Sequence, residues 1–105
     1  MRKKMTTKEK IINKAFKTVG ERNNHYGTPL ENFERIAKFW SCHLEHHISV
    51  YDVGVMLMLL KIARSKHDSL HEDTWIDIAG YAGATAEATF LDDEIKQEMK
   101  EYGMD

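Results

Sequence analysis

The chain has 105 residues, of which 42% are hydrophobic and 30% are charged. This length and composition predict a single folded domain over 1–105, with residues 1–6 and 103–105 flexible, and they exclude a disordered chain. The formal net charge is -2, so no global positive field favours nucleic acid or an anionic membrane as a partner.

Cysteine content and hydropathy predict a cytosolic protein. Cys42 is the only cysteine, which excludes an intrachain disulfide and a thiolate metal cage. The longest apolar run, Val53 to Leu60, is too short to cross a bilayer. The basic start of the chain lacks the apolar stretch of a secretory signal.

The first two predicted helices are separated by a polar loop. Apolar residues at helical spacing predict a helix from Thr7 or Lys8 to Val19, which Gly20 ends. Residues 20–27 then form the loop. Residues 28–31, Thr-Pro-Leu-Glu, match the start of a second helix, with Thr as N-cap, Pro at the first position and Glu at the third. The predicted buried stripe of this helix consists of Leu30, Phe33, Ala37, Trp40 and Leu44.

Two further helices complete the prediction of an all-α fold. Ser49 and Asp52 match a capping-box start. The helix that follows, up to Arg64, is apolar almost all round, which predicts that its own chain or a partner subunit encloses it. An Ala- and Gly-rich helix is predicted over residues 73–90, and the acidic tail 92–102 extends it or forms a fifth helix. The predicted architecture is a compact antiparallel bundle of four to five helices.

Charged residues are predicted to collect at one end of this bundle. Short connections make consecutive helices antiparallel, so the second helix starts beside the end of the third and the start of the fourth. A charge on a largely apolar helix must be paired or bound, because desolvating it alone is costly. The residues predicted at this end are Glu31, Glu34, Lys61, Arg64, Asp73 and Asp77.

Two interpretations of this charged end stay open. Converging carboxylates are ligands for Mg²⁺, and Asp73 and Asp77 share one helix face. Glu34 lies on the flank of its helix, while Glu31 lies roughly opposite the buried stripe, where its capping role already accounts for it. The two cations would neutralise phosphate charge. In the other interpretation, the cations and acids complement their helix dipoles and form salt bridges without any ligand.

Arg22, His25 and Tyr26 directly precede the second helix, whose N-terminus attracts anions. In a nucleotide site, Arg22 would contact phosphate, Tyr26 or Trp75 would stack on a base, and His25 would contribute to the same site. The structural interpretation is that Tyr26 packs against the bundle.

Two other patterns have both a functional and a structural interpretation. His43 and His47 have the i, i+4 spacing of helical metal ligands, with His46 between them, but histidines also complement the dipole at a helix C-terminus. Residues 1–17 hold seven Lys or Arg against one Glu. This segment is either a solvated terminus or a basic arm that contacts phosphates of a nucleic acid.

Three segments resemble, in order, a family of small phage and prophage proteins without an assigned function. The segments are ERNNHYGTPLENFERIAKFW, DVGVMLMLLKIARSKH and DTWIDIAGYA. The family pattern is roughly a GDR and YG loop, an N-F-x-R-I-A-x-x-W helix, an L-K-x-A-R helix and a D-x-W-x-D-x-A-G-Y helix. The motifs cover about residues 20–85, and the predicted core of the family domain is residues 20–90. Glu21 stands where the family pattern has Asp. The resemblance implies a phage-type protein in the cytosol of a bacterial host.

A more distant similarity is to the MazG-like all-α nucleoside triphosphate pyrophosphohydrolases. Those enzymes hold Mg²⁺ with ExxE acids on one helix and an ExxD pair on another, followed by a D-x-x-x-Y stretch. Glu31 and Glu34 are similar to the first motif, and Asp73, Asp77 and Tyr81 to the second. The chain lacks the usual additional Glu and has DxxxD in place of ExxD. A descendant that binds nucleotide without hydrolysing it has the same pattern.

The leading hypothesis is therefore a Mg²⁺-dependent nucleotide-binding protein, with hydrolysis of the α–β phosphoanhydride as the activity that the similarity implies. The alternative is a non-enzymatic phage adaptor or host-modulating protein whose charged bundle end is a salt-bridge network. A third class is nucleic-acid binding through the basic first helix. The apolar third helix and the Ala- and Gly-rich fourth helix also predict a homo-oligomer, because about 100 residues bury such helices poorly alone.

Overall fold

The computed structural model describes residues 4–103, apart from the side chains of Asn23 and Asn24. Within this range the chain forms four α-helices and no strand, which confirms the predicted all-α fold. The helices are α1 Thr7–Tyr26, α2 Pro29–Leu44, α3 Val50–Ser65 and α4 Glu72–Glu101. Residues 1–3 and 104–105, which belong to the termini predicted to be flexible, lie outside the described residues.

α1 continues through Gly20 to Tyr26, so the predicted end at Val19 and the predicted loop at 20–27 are wrong. A Cβ at Gly20 would meet nothing within 4 Å. Only the low helix propensity of glycine, about 1 kcal/mol relative to Ala, therefore opposes helix at this position. The helix ends instead at Gly27, whose φ of 80° lies in the left-handed region that favours glycine.

The starts of α2 and α3 confirm their predicted capping signals. The Thr28 hydroxyl accepts the Glu31 N–H at 3.2 Å, and Pro29 is the first residue of α2. At α3, the Ser49 hydroxyl accepts the Asp52 N–H at 3.1 Å, while the Asp52 carboxylate accepts the Ser49 N–H at 3.0 Å. Side chains three residues apart in the sequence therefore stabilise both helix starts.

Removing the Asp52 carboxylate is expected to lower the melting temperature at neutral pH but not in acid. The Ser49 N–H and hydroxyl hold the pKa of Asp52 below its ordinary value of 3.8, so the charged form stabilises the folded chain. This stabilisation is present above pH 3.8 and is lost as the pH falls through the lower pKa of the folded state. Thermal unfolding followed by circular dichroism should show Asp52→Asn and the original chain converging in acid.

Asp93→Asn is the matched control for this substitution. Asp93 is an exposed acid in the interior of α4, away from any helix start. The Asp93→Asn substitution is expected to leave the melting temperature close to that of the original chain. If Asp52→Asn differed from the original chain by the same amount at every pH, the proposed role of the charge would be wrong.

The core lies where α2, α3 and α4 meet. Its buried residues are Phe33, Ala37, Val50, Val53 and Ala88. Of the predicted α2 stripe, Leu30 and Trp40 pack at the edge of this core, whereas Leu44 at the end of the helix is 52% exposed. The stripe is therefore buried along most of α2 and runs out where the helix ends.

α4 is the central helix, because each of the other three packs against it. α3 is antiparallel to α4, since Gly54 lies against Thr85 and, seven residues later, Lys61 pairs with Asp77. The end of α3 thus lies beside the start of α4, as predicted. The carboxyl-terminal turns of α3 and the first turns of α4 therefore form one charged end of the molecule.

α1 packs along α4 rather than against its sequence neighbour α2. Lys14 of α1 pairs with Glu72 of α4, and eight residues later Arg22 lies over Tyr81. α1 and α4 therefore run in the same direction, which departs from the predicted alternation of antiparallel helices. The short connection at 27–28 turns the chain without folding α2 back along α1.

α4 spans 30 residues, so the acidic tail continues this helix and does not form a fifth one. Residues 93–101 are exposed, and the described chain measures 61 × 32 × 21 Å. Between residues 4 and 103, none of the helices combines the length and the apolar character needed to span a membrane.

α3 is only partly enclosed by its own chain. Its buried residues are Val50, Val53, Gly54 and Ser65. Four large apolar side chains on its other face are 40–55% exposed, namely Met56, Leu59, Leu60 and Ile62. The sequence predicted that the protein's own chain or a partner subunit encloses this apolar helix. Its own chain covers one side of α3 and leaves the other side exposed.

Candidate functional site

Two cavities lie on either side of Asp77, which lines both of them. The first, of about 320 Å³, lies between the end of α1, the start of α2 and the first half of α4, and we term it the Arg22 cavity. The second, of about 430 Å³, lies between α3 and α4, and we term it the Lys61 cavity. The charged end predicted from the sequence is therefore divided into two separate sites.

The Arg22 cavity combines a cation with aromatic and apolar walls. The guanidinium carbon of Arg22 lies 5.5 Å from the centre of the Tyr81 ring, within the range of a cation–π contact. The Tyr81 side chain raises the pKa of Arg22, and the charge of Asp77 adds to this effect. Val19, Phe33 and Ile76 contribute apolar surface. Such a cavity suits an anionic ligand that carries a flat or apolar group.

Of the two ring residues predicted for the nucleotide site, Tyr26 lines the Arg22 cavity and His25 does not. His25 is exposed and its ring meets Tyr26 edge to face, with ring centres 6.3 Å apart. Both residues lie in the last turn of α1 rather than in a loop, so consecutive side chains point in different directions around the helix. Helix geometry thus separates two residues that a loop would have allowed to converge.

Lys61 and Asp77 form a sheltered ion pair at the boundary between the cavities. Their charged atoms are 2.8 Å apart, and their side chains are only 18% and 22% exposed. Each charge is costly to leave alone at this degree of burial, so each satisfies the other. The salt bridge that the sequence offered as the alternative to a ligand site is therefore present.

The Lys61 cavity brings together two more of the predicted charges with this ion pair. Arg64 and Asp73 line it, as do His67 and His71 from the loop between α3 and α4. Trp75 lies outside both cavities: its indole N–H donates to the Ser69 carbonyl at 2.9 Å, and its side chain is 41% exposed. Its ring is thus held by the loop and not placed for stacking in either cavity.

Glu31 and Glu34 lie apart from Asp73 and Asp77. The Glu31 carboxylate accepts the Thr28 hydroxyl at 3.2 Å at the start of α2, and Glu34 is exposed and lines neither cavity. In the described part of the chain, no three His, Cys, Asp or Glu side chains form a group able to hold a metal ion. No group of three such ligands is therefore preformed among these residues, and binding of Mg²⁺ stays a prediction.

The histidines near the end of α2 also form no metal-holding group among the described residues. His43, His46 and His47 are exposed, as is Cys42. His43 lies on the last turn of α2, but His46 and His47 follow the helix, so the predicted i, i+4 helical spacing is lost. They too fall outside any metal-holding group among the described residues.

Sequence reasoning missed Asn32 and the role of Tyr81. Both line the Arg22 cavity, Asn32 from α2 and Tyr81 from α4. A signal for each was available: Asn32 is one turn after the Thr28 cap, and Tyr81 is one turn after Asp77, so each shares a face with a residue already considered. What the sequence did not contain was the direction of α1, which carries Arg22 to Tyr81.

Comparison with known proteins identifies the family. Residues 10–89 match a domain of unknown function, DUF6378. The chain belongs to the DUF6378 family. This match confirms the predicted family without an assigned function. It begins ten residues earlier than the predicted core at residue 20, so most of α1 lies within the matched segment.

Two relatives of this DUF6378 protein are phage proteins. Gene 55 protein of Mycobacterium phage D29 is 47% identical over 76 residues, which cover 71% of this chain and 50% of the relative. Gene 55 protein of Mycobacterium phage L5 is 43% identical over 91 residues, which cover 86% of this chain and 54% of the relative. The chain thus spans about half the length of the curated relatives it matches. No solved structure matches it, and the similarity to MazG-like enzymes stays a prediction.

Proposed function

We propose that this DUF6378 protein binds a nucleotide in the Arg22 cavity. The observation that carries the proposal is the Arg22 guanidinium, which lies over Tyr81 in a cavity that also has an apolar wall. A cation beside aromatic and apolar surface suits a ligand with a phosphate at one end and a base at the other. The volume of about 320 Å³ is at the low end for small-molecule sites, which favours one nucleotide over a longer oligonucleotide.

Each wall of the cavity has a distinct part in this proposal. The base lies against the apolar side chains of Phe33 and Ile76. The Asn32 amide and the Asp77 carboxylate offer donors and acceptors for the base or the sugar. Arg22, which is charged at every physiological pH, neutralises the phosphate at the exposed side of the cavity. Phosphate recognition by a guanidinium is charge-assisted and favours this cation over a lysine.

The proposal is for binding and assigns no step to a metal. Asp77 already pairs with Lys61, Asp73 lines only the Lys61 cavity, and Glu31 and Glu34 line neither cavity. Hydrolysis of the α–β phosphoanhydride therefore stays a prediction of the sequence. Release of pyrophosphate in the binding experiment would test it directly.

The second candidate function is a non-enzymatic phage adaptor or host-modulating protein in the host cytosol. The observation that favours it is the Lys61–Asp77 pair, because its two sheltered charges satisfy each other without a ligand. In this case the charged end stabilises the fold. Asp77→Asn would then lower the melting temperature, because it leaves the sheltered Lys61 charge without a partner. It would not change the binding of any nucleotide.

The experiment compares two arginine substitutions in the full chain. Thermal melting is measured with and without Mg²⁺ against ribo- and deoxynucleoside mono-, di- and triphosphates, with pyrophosphate assayed in the same samples. A nucleotide that binds raises the melting temperature by mass action. Arg22→Gln is expected to weaken its binding about 10- to 100-fold, measured by calorimetric titration, because a charge-assisted contact contributes about 1.5–3 kcal/mol.

Arg35→Gln is the matched control. Arg35 is exposed on α2 and lines neither cavity, so this variant is expected to bind like the original chain. Equal effects of the two substitutions would show that general charge, and not the Arg22 cavity, attracts the ligand. No shift with any nucleotide would reject the proposal and leave the adaptor function.

A further inference from the structure

The exposed face of α3 has the spacing of a helix-pairing seam. Positions 52, 55, 59, 62 and 66 are separated by three and four residues in alternation, which places them on one face of a helix. We term this face the α3 seam, and its residues are Asp52, Val55, Leu59, Ile62 and Lys66. Leu59 is 55% exposed and Ile62 46% exposed, while Met56 and Leu60 beside them are 40% and 49% exposed. The seam is thus a contiguous apolar surface, of the kind that marks an interaction site.

The charges on the α3 seam lie only at its two ends and have opposite signs. Asp52 begins the seam and Lys66 ends it, and both positions are seven residues from Leu59. An antiparallel copy of α3 centred on Leu59 would therefore place Asp52 of each chain opposite Lys66 of the other. A parallel copy would place like charges together. The surface is therefore complementary to itself in one orientation.

The environment of these two charges fits such pairing. The Asp52 carboxylate is held at the helix start by the Ser49 N–H, which fixes its position while its second oxygen stays available. Lys66 is exposed directly after α3 and makes no salt bridge among the described residues. Between the two charges, the seam and its flanks carry only apolar side chains. Opposite charges at the rim of an apolar patch set orientation in helix pairs.

We infer that two copies of this chain associate through the α3 seam, with their α3 helices antiparallel and Leu59 at the two-fold axis. Isologous contacts of this kind are the commonest closed assembly of soluble proteins. The dimer completes the enclosure of α3 that one chain leaves unfinished. It uses the side of α3 opposite to α4, so both cavities on the α4 side are left clear. The inference is independent of the proposed nucleotide site.

Leu59→Glu is the first test, with Leu44→Glu as its matched control. The two leucines are 55% and 52% exposed, so the substitutions add the same charge at equally exposed positions. Leu59→Glu is expected to weaken self-association at least about a hundredfold in sedimentation equilibrium, because two carboxylates would meet at the axis. Leu44→Glu is expected to leave the dimer intact, and circular dichroism checks that both variants are helical.

Disulfide trapping tests the orientation in the assembled full chain. In a Cys42→Ser background, Val55→Cys and Ala63→Cys variants are prepared separately and then mixed under mild oxidation. An antiparallel pair centred on Leu59 places position 55 of one chain opposite position 63 of the other, so crosslinks between the two variants should dominate. A parallel pair would instead crosslink each variant to itself.

Four outcomes would overturn the inference. The original chain could be monomeric at every concentration, which would mean that a second copy of this chain does not cover the α3 seam. The dimer could survive Leu59→Glu, or dissociate equally with Leu44→Glu, which would place the interface elsewhere. Crosslinks of each cysteine variant to itself alone would reject the antiparallel arrangement.

Discussion

Gly54→Ala is expected to lower the free energy of unfolding by about 2–3 kcal/mol. A Cβ at this position would lie 2.0 Å from the Thr85 Oγ1 and 2.4 Å from its Cγ2. Rotation of the Thr85 side chain does not relieve the overlap, because its Cβ would also be only 2.7 Å away. α3 and α4 must therefore move apart, which loosens the core around Val53 and Ala88.

The better helix propensity of alanine does not offset this clash. Alanine favours a helix over glycine by about 1 kcal/mol. Overpacking a close-packed core costs roughly 1–3 kcal/mol and sometimes more. The overlap at Gly54 involves three atoms of one residue on a facing helix, which places the cost above this range before propensity is subtracted. The steric effect therefore decides the sign.

Urea unfolding of three variants measures this effect. Gly20→Ala is the matched control: a Cβ there meets nothing within 4 Å, so it is expected to raise stability by about 0.5–1 kcal/mol. Adding Thr85→Ala to Gly54→Ala should recover part of the loss, since the buried Thr85 hydroxyl has no hydrogen-bond partner to lose. A Gly54→Ala variant as stable as the original chain would contradict the close approach of α3 and α4.

Phe33→Ala is expected to lower the free energy of unfolding by about 3–5 kcal/mol. Phe33 is 2% exposed and belongs to the core formed by α2, α3 and α4. Removing its ring loses the transfer free energy of a large apolar side chain and leaves a void between three helices. Domains of this kind have total stabilities of about 5–15 kcal/mol, so the variant is expected to be close to unfolding.

Phe39→Ala on the same helix is the control for this loss. Phe39 is 70% exposed, so its substitution is expected to change stability by no more than about 0.5 kcal/mol. Chemical unfolding at one temperature compares the two variants directly. Similar losses at both positions would mean that α2 does not bury the face assigned to it.

The sequence predicted the helix starts well because the signals are local. Thr28 caps α2 through Glu31, and Ser49 caps α3 through Asp52, each across three residues. The end of α1 was predicted wrongly for the same reason. Gly20 is a local signal for a helix end, but packing of the following turns against α4, including Arg22 over Tyr81, carries the helix past it.

The candidate site was predictable only in part. The meeting of Lys61 with Asp77 follows from two consecutive antiparallel helices, and the structure places these charges 2.8 Å apart. The separation of Glu34 from Asp77 depends on the rotation of α2 about its axis, which the hydrophobic stripe defines only broadly. The Arg22 cavity depends on α1 running in the same direction as α4, which no short motif encodes.

The sequence by itself determined the helical class, the capped helix starts and the apolar character of α3. These depend on propensities and on side chains within one turn of each other, so the local chain is sufficient. Tertiary structure decided where α1 ends, which charges pair, and which side of α3 is left exposed. Those outcomes depend on how distant helices cross and rotate against each other, and the free energy of that packing is shared among residues far apart in the chain.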